Sequence, residues 1–188
     1  NSKEWILVCE DILSENVTKN SHALEIIHTW STRGSLPAAI ENTFALYQCK
    51  HKYMKNEEDE NVFDEYNIRL MITMSIIRFV NAMTDAQQSY QQAMSVLSIA
   101  NKLKLPVEAV HIRHTGTHQQ LPHLPLLIDV LQQCIQWLHQ YYWYPQLQAY
   151  QNELNNEIIN LLTEYKDNIK KNINQQHVMK QIQDYIDH

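Results

Sequence analysis

Glycine is almost absent. Two glycines in 188 residues is about 1%, against a typical value near 7%. Sandwiches, barrels and Rossmann sheets need glycine in their turns, and phosphate-cradling loops need it where the backbone approaches the ligand. Neither Gly34 nor Gly116 lies in a GxGxxG or GxxxxGK pattern, which excludes nucleotide sites of those kinds. Cysteine is also scarce. Cys9, Cys49 and Cys134 are far apart and form no CxxC pair, so neither a disulfide framework nor a cysteine zinc site is expected, and a reducing compartment is. Positive charge is short as well: 15 Lys+Arg against 21 Asp+Glu give a net charge of −6 and a pI near 5.9. That balance excludes a broad basic surface that wraps nucleic acid, so such chemistry must rest on a local site or on a partner's cations. No apolar run approaches the roughly 18 residues of a membrane span, and no signal-peptide pattern is present, so a soluble, intracellular chain with no membrane partner is expected.

What is abundant is amide: 16 asparagines and 18 glutamines, suited to long uncharged polar helix faces. An all-α fold follows. The first helix is expected near Lys3–Ser14, with Trp5, Val8, Cys9 and Ile12 on one stripe. The second runs near Ser21–Arg33, with Ala23, Ile26, Ile27 and Trp30 inward and Gly34 just past its end. Ser35 and Pro37 suit the start of a third, reaching about Met54 with Ile40, Phe44, Tyr47 and His51 on one stripe. Tyr66–Met83 is apolar almost all round and belongs at the centre of a bundle. After Thr84-Asp85 another helix should carry Tyr90, Ala93, Leu97 and Ala100 inward. Pro106 opens a short helix to about His114. Gly116, Pro122 and Pro125 then interrupt the pattern before Leu126–Tyr144 resumes it, with Leu127, Leu131, Cys134, Leu138 and Tyr141 inward.

Two segments are set apart by composition. Six acids fall in the nine positions Glu57–Glu65, which reads as a solvated loop. Beyond Pro145 the chain is largely amides and charges, with a thin seam of Leu147, Tyr150, Leu154, Ile158, Leu161 and Tyr165. A seam with spacing near 3.5 suggests a coiled-coil-like helix that wants a partner surface. Two units are therefore expected, residues 1–145 and a helical extension, 146–188, that serves as a docking or coiled-coil segment.

Chemistry concentrates between His111 and Pro125, where four of the ten histidines and one of the four arginines fall at a helix break. Three readings stay open on the residues alone. In the first, these are surface histidines around a loop pinned by Leu121, Leu124 and the prolines. In the second, His111, His114 and His118 at i, i+3, i+7 bind a metal, which requires the helix to continue through Gly116; no carboxylate lies between Glu108 and Asp129 to support such a site. The third is RNA cleavage without a metal. RNA carries its own nucleophile, the 2′-OH. The protein must supply a base for that proton, an acid for the 5′-oxygen and cations for the phosphoryl charge. His118 suits the proton transfers, since an imidazole of pKa near 6.5 serves either role around neutrality. Arg113 suits the phosphate, through two parallel donors. One histidine cannot be base and acid in the same step, and a symmetric dimer with two facing motifs resolves this. The products would be a 2′,3′-cyclic phosphate and a 5′-OH.

Arg113-His114-Thr115-Gly116-Thr117-His118, followed by Leu121-Pro122-x-Leu124-Pro125, resembles the motif of the HEPN-domain endoribonucleases of the Las-one family, which process pre-ribosomal RNA. Further blocks resemble the same family in the same order: Trp30 to Glu41, Ile77-Arg78-Phe79-Val80-Asn81, Leu105-Pro106-Val107, and Trp137-Leu138 with Tyr142-Trp143. The resemblance covers roughly Trp5 to Trp143. It implies a HEPN-type helical bundle that homodimerises through the motif-bearing face, without cofactor or metal. It also implies cleavage at the second internal transcribed spacer, a polynucleotide kinase partner for the new 5′-OH, and work in the nucleolus of the nucleus. By position, Arg113, His114 and His118 become the catalytic residues. Arg113 would hold the scissile phosphate, His118 shuttle protons, and His114 orient or share in proton transfer. Thr117 would bond a neighbouring phosphate or the backbone. His111 and His123 lie outside the pattern and are assigned structural or surface roles, while Arg33 and Arg78 are read as satisfied structural cations. A catalytically silent scaffold for a ribosome-biogenesis complex is the alternative.

Overall fold

With so little glycine to interrupt it, i→i−4 hydrogen bonding runs on through long stretches of chain. A computed structural model describes residues 2–58, 64–88, 95–116, 120–170 and 176–187, and no strand occurs among them. The elements are α1 (Ser2–Leu13), α2 (Val17–Ser31), α3 (Ala38–Glu58), α4 (Glu65–Gln88), α5 (Val96–Lys102), α6 (Val107–Thr115), α7 (Leu124–Leu138), a π-turn (His139–Trp143), α8 (Tyr144–Lys170) and α9 (Gln176–Ile186). The fold is all-α, as expected.

α4 is the hub, packed against α3, α5, α6 and α7. Ile68, Ile72, Ile76, Phe79 and Val80 are buried there, against Leu46 and Tyr47 of α3 and Leu127, Leu131 and Leu138 of α7. Its central position matches the apolar pattern, although Tyr66, Leu70 and Met74 remain exposed along one side. α1 and α2 form a hairpin whose turn is tied from inside. Buried Asn20 donates through Nδ2 to the carbonyls of Asp11 (2.7 Å) and Ser14 (2.9 Å), and the Asp11 carbonyl also accepts from the Ser14 N–H (3.4 Å). α2 begins earlier than expected because Asn16 is its N-cap, with Oδ1 accepting from the N–H groups of Thr18 (2.8 Å) and Lys19 (3.3 Å).

Several expectations need correction. α4 passes straight through Thr84-Asp85, because buried Thr84 turns its hydroxyl back onto the carbonyls of Val80 (2.9 Å) and Asn81 (3.1 Å) instead of starting a new helix. α5 starts only at its N-cap Ser95. Ile99 and Ala100 then face inward and Leu97, expected there, is 57% exposed; Tyr90 and Ala93 lie outside the described residues. Gly34 is not in the left-handed region, and the positive φ among the described residues belongs to Lys104 (54°). Lys104 closes α5 in a Schellman motif, with Leu105 N–H on the Ala100 carbonyl (2.9 Å) and Lys104 N–H on that of Asn101 (3.1 Å). Of the expected acidic loop, Glu57 and Glu58 end α3 and Glu65 opens α4, while 59–63 lie outside the described residues.

Pro145 does not end the helix. The turn just before it widens: the N–H of Tyr144 reaches back five residues to His139. A proline lacks the N–H for the Tyr141 carbonyl and its ring would crowd that group in a regular helix, so the wide turn accommodates it. The extra residue also shifts the phase. Trp143 is fully buried, with Nε1 donating to Thr43 Oγ1 (2.9 Å), and Tyr141, expected inward, is 40% exposed. The seam on α8 is covered from within the chain by α9, whose buried Val178 and Ile182 face it.

Candidate active site

α6 carries Arg113 and His114 in its last turn, where the negative end of the helix dipole favours cationic side chains. Ala109, Val110 and Ile112 bury one face of α6, so Arg113 is left half-buried and His114 exposed. The guanidinium is aimed by α4: Arg113 Nε donates to Asn81 Oδ1 at 2.8 Å. With Nε committed to that bond, the terminal Nη pair is the edge left for two-point contact with a phosphate. Val107, Val110, His111, Arg113 and His114 of α6 line a cavity of about 400 Å³ together with Val96 and Leu97 of α5. His111 and His123 are both exposed, in keeping with surface roles. Thr117 and His118 lie outside the described residues, so the structure brings together Arg113 and His114 only.

The break after α6 is set by packing. Gly116 caps the helix, its N–H on the Ile112 carbonyl at 2.7 Å. Its φ of −65° would suit any residue, so the need for glycine is one of space. A Cβ there would stand 2.7 Å from the Ile112 carbonyl oxygen, 3.0 Å from Thr73 Cγ2 and 3.2 Å from Ile77 Cδ1. The end of α6 therefore lies directly on α4. α6 ends at Thr115, and His118, the third histidine of the metal reading, lies outside the described residues. Among the described residues no cluster of three or more metal-ligating side chains occurs.

Both flanks of the motif are anchored by contacts that the residue order did not announce. On the entry side, Trp137 Nε1 of α7 donates to the Leu103 carbonyl at the end of α5 (2.9 Å). On the exit side, Arg69 of α4 donates through Nε to the Pro122 carbonyl (2.8 Å) and through Nη2 to that of Leu121, with Glu65 as its ion-pair partner at 3.5 Å. Arg33 and Arg78, read as satisfied structural cations, are both exposed, and neither forms a hydrogen bond or ion pair with another described residue.

The cysteines offer no nucleophile. All three are buried; burial pushes the Cys9 thiol up to about 12 and raises those of Cys49 and Cys134 as well. The functional chemistry available is thus imidazole and guanidinium on a helix end.

A helical bundle that presents an arginine and a histidine from one helix terminus, on a tightly fitted glycine, defines the class. The chain belongs to the Las1-like family, whose model matches residues 1–145. It is 34% identical over 122 residues to the pre-rRNA-processing protein las1 of Schizosaccharomyces pombe, covering 65% of this chain and 24% of that protein. It is 33% identical over 129 residues to protein LAS1 of Saccharomyces cerevisiae (66% and 26%) and 26% identical over 148 residues to the ribosomal biogenesis protein LAS1L of Mus musculus (78% and 18%). The chain therefore spans about a quarter or less of the length of these relatives.

Proposed function

We propose that this protein acts in pre-rRNA processing as a metal-independent endoribonuclease. The observation that carries the reading is Arg113, fixed by Asn81 beside an exposed His114 on a helix end, in a family whose relatives are named for pre-rRNA processing. In this reading Arg113 grips the scissile phosphate and neutralises the charge that grows on its oxygens. His118 moves protons between the 2′-OH and the 5′-oxygen, and His114 orients the linkage or shares the proton transfer. Thr117 steadies a neighbouring phosphate or the motif backbone. The 2′-oxygen forms the bond to phosphorus as the bond to the 5′-oxygen breaks, giving a 2′,3′-cyclic phosphate and a 5′-OH.

Two motif copies supply the base and the acid. Leu97 and Val107, 57% and 69% exposed beside Arg113 and His114, offer an apolar rim for a second copy on this face. The cut falls in the second internal transcribed spacer, in the nucleolus, and a polynucleotide kinase partner receives the 5′-OH. Residues 146–188 form the docking extension of the 1–145 unit.

The test is RNA cleavage by the full-length protein, with light scattering to follow the dimer. Cleavage that persists in EDTA, and falls by about 10²–10⁴ in both Arg113→Ala and His118→Ala while the dimer persists, is the expected result. Cleavage that stops in chelator and returns with zinc overturns it in favour of a metal site. No cleavage under any condition, with assembly intact, favours a silent scaffold.

A further inference from the structure

The four arginines of this chain have separate situations. Arg113 is bound to Asn81 and Arg69 clamps the loop at Leu121 and Pro122; Arg33 stands in the connection between α2 and α3. Arg78 lies on α4 three residues before Asn81, which places the two on neighbouring turns of one helix side, about 4.5 Å apart along the axis. An exposed guanidinium that pairs with no other described residue thus stands one turn from the residue that aims the motif's own guanidinium.

Arg78 lines a groove of about 340 Å³ between α3 and α4, together with Glu41, Asn42, Met74 and Ser75. The polar groups on its floor are already satisfied: Asn42 Nδ2 donates to the Ala38 carbonyl (2.7 Å) and Ser75 Oγ bonds Cys49 Sγ (3.1 Å). Glu41 is exposed and, like Arg78, makes no hydrogen bond or ion pair with another described residue. Opposite charges line one groove and do not pair. Met74, half exposed, adds an apolar surface to the same groove.

A ligand that fits such a groove carries an anion and a hydroxyl donor a short way apart, with an apolar face. One ribonucleotide has all three: a phosphate, a ribose 2′-OH and a base. We infer that the α3/α4 groove is a nucleotide subsite for RNA flanking the scissile linkage, in which Arg78 binds a neighbouring phosphate and Glu41 accepts a hydrogen bond from a ribose 2′-OH. The inference rests on the endoribonuclease reading for its link to the motif. A carboxylate repels phosphate but accepts from a hydroxyl, so Glu41 makes the groove selective for RNA over DNA. Arg78 supplies a local cation that a chain of net charge −6 otherwise lacks.

The experiment is fluorescence anisotropy of a single-stranded RNA oligonucleotide, and of DNA of the same sequence, with the full-length protein in a His118→Ala background. Circular dichroism confirms the fold, which two exposed side chains should leave unchanged. Arg78→Ala is expected to weaken RNA binding five- to tenfold and to reduce the slope of log Kd against log salt by about 0.7, the loss of one single-strand phosphate contact. Glu41→Ala is expected to keep the slope and narrow the RNA-over-DNA preference about fivefold. An unchanged slope in Arg78→Ala, or an unchanged RNA-to-DNA ratio in Glu41→Ala, overturns the subsite. The two readings fail separately. Normal Arg78 dependence of binding with no cleavage by the native protein sinks the nuclease and leaves the subsite, whereas cleavage with native-like binding by Arg78→Ala sinks the subsite alone.

Discussion

The helical pattern breaks twice in the second half of the chain, and the two breaks are opposites. After α6 the helix stops at a glycine pressed against Ile112, Thr73 and Ile77, and its last turn offers Arg113 and His114 outward. Between α7 and α8 the helix only widens, stays hydrogen-bonded, and turns an indole into the core. A terminated helix exposes polar groups where chemistry can use them; a widened one spends its irregularity on burial. The first break therefore belongs to the site and the second to stability.

Three substitutions or conditions probe that division. The largest effect is expected from Trp143→Ala, which empties a fully buried site and removes the bond to Thr43. It should cost about 3–5 kcal/mol in urea unfolding while RNA cleavage per folded molecule stays at the native level. A matching loss of cleavage in the folded fraction would mean that the two breaks are coupled.

Acid should strain the same junction. Burial, with Lys50 adding to it, holds His139 down at about 4 from an ordinary 6.5, and its Nε2 lies 2.9 Å from the Tyr47 hydroxyl. The folded state resists a proton that the unfolded chain accepts near pH 6.5. Stability is thus full above that pH and falls as pH drops towards 4, by on the order of 3 kcal/mol. His51, lowered by burial and then by Lys50 and Lys55, acts in the same direction. Urea midpoints between pH 7 and 4 should fall less steeply in His139→Gln than in the native chain; equal slopes would remove His139 as the cause.

The smallest effect on stability, and the sharpest on the site, is expected from Gly116→Ala. Its Cβ meets a backbone oxygen that cannot swing aside, at a cost of about 1–3 kcal/mol. Cleavage should fall at least tenfold at a temperature where the variant remains folded, because the end of α6, with Arg113 and His114 in its last turn, must move off α4. Native cleavage with lowered stability would show that the close fit serves packing alone.

Much of this architecture was legible because helices declare themselves by period. The stripes Val8-Cys9-Ile12 and Leu127-Leu131-Cys134-Leu138 are buried as the spacing required. The misreadings share a cause, a local signal overruled by a contact from elsewhere. Thr84-Asp85 resembles a helix start, yet Thr84 is satisfied inside α4. Tyr141 fits the stripe of α7 until the π-turn adds a residue to the cycle. At the site, Arg113 and His114 could be named from the order of residues, but the Asn81 bond joins positions 32 residues apart and the Arg69 clamp spans more than 50. No periodicity reports contacts of that range. The glycine requirement at 116 was likewise hidden, since it comes from close contacts with the Ile112 carbonyl and with Thr73 and Ile77 of another helix, and not from backbone torsion.

The widened turn has a mechanical consequence. Because helical backbone runs from Leu124 to Lys170 with no loop between, this part of the chain extends over about 70 Å at 1.5 Å per residue, rooted among the aromatic rings of the core. A force applied at the far tip of such a lever arrives at its fulcrum as torque, and the fulcrum is Trp143.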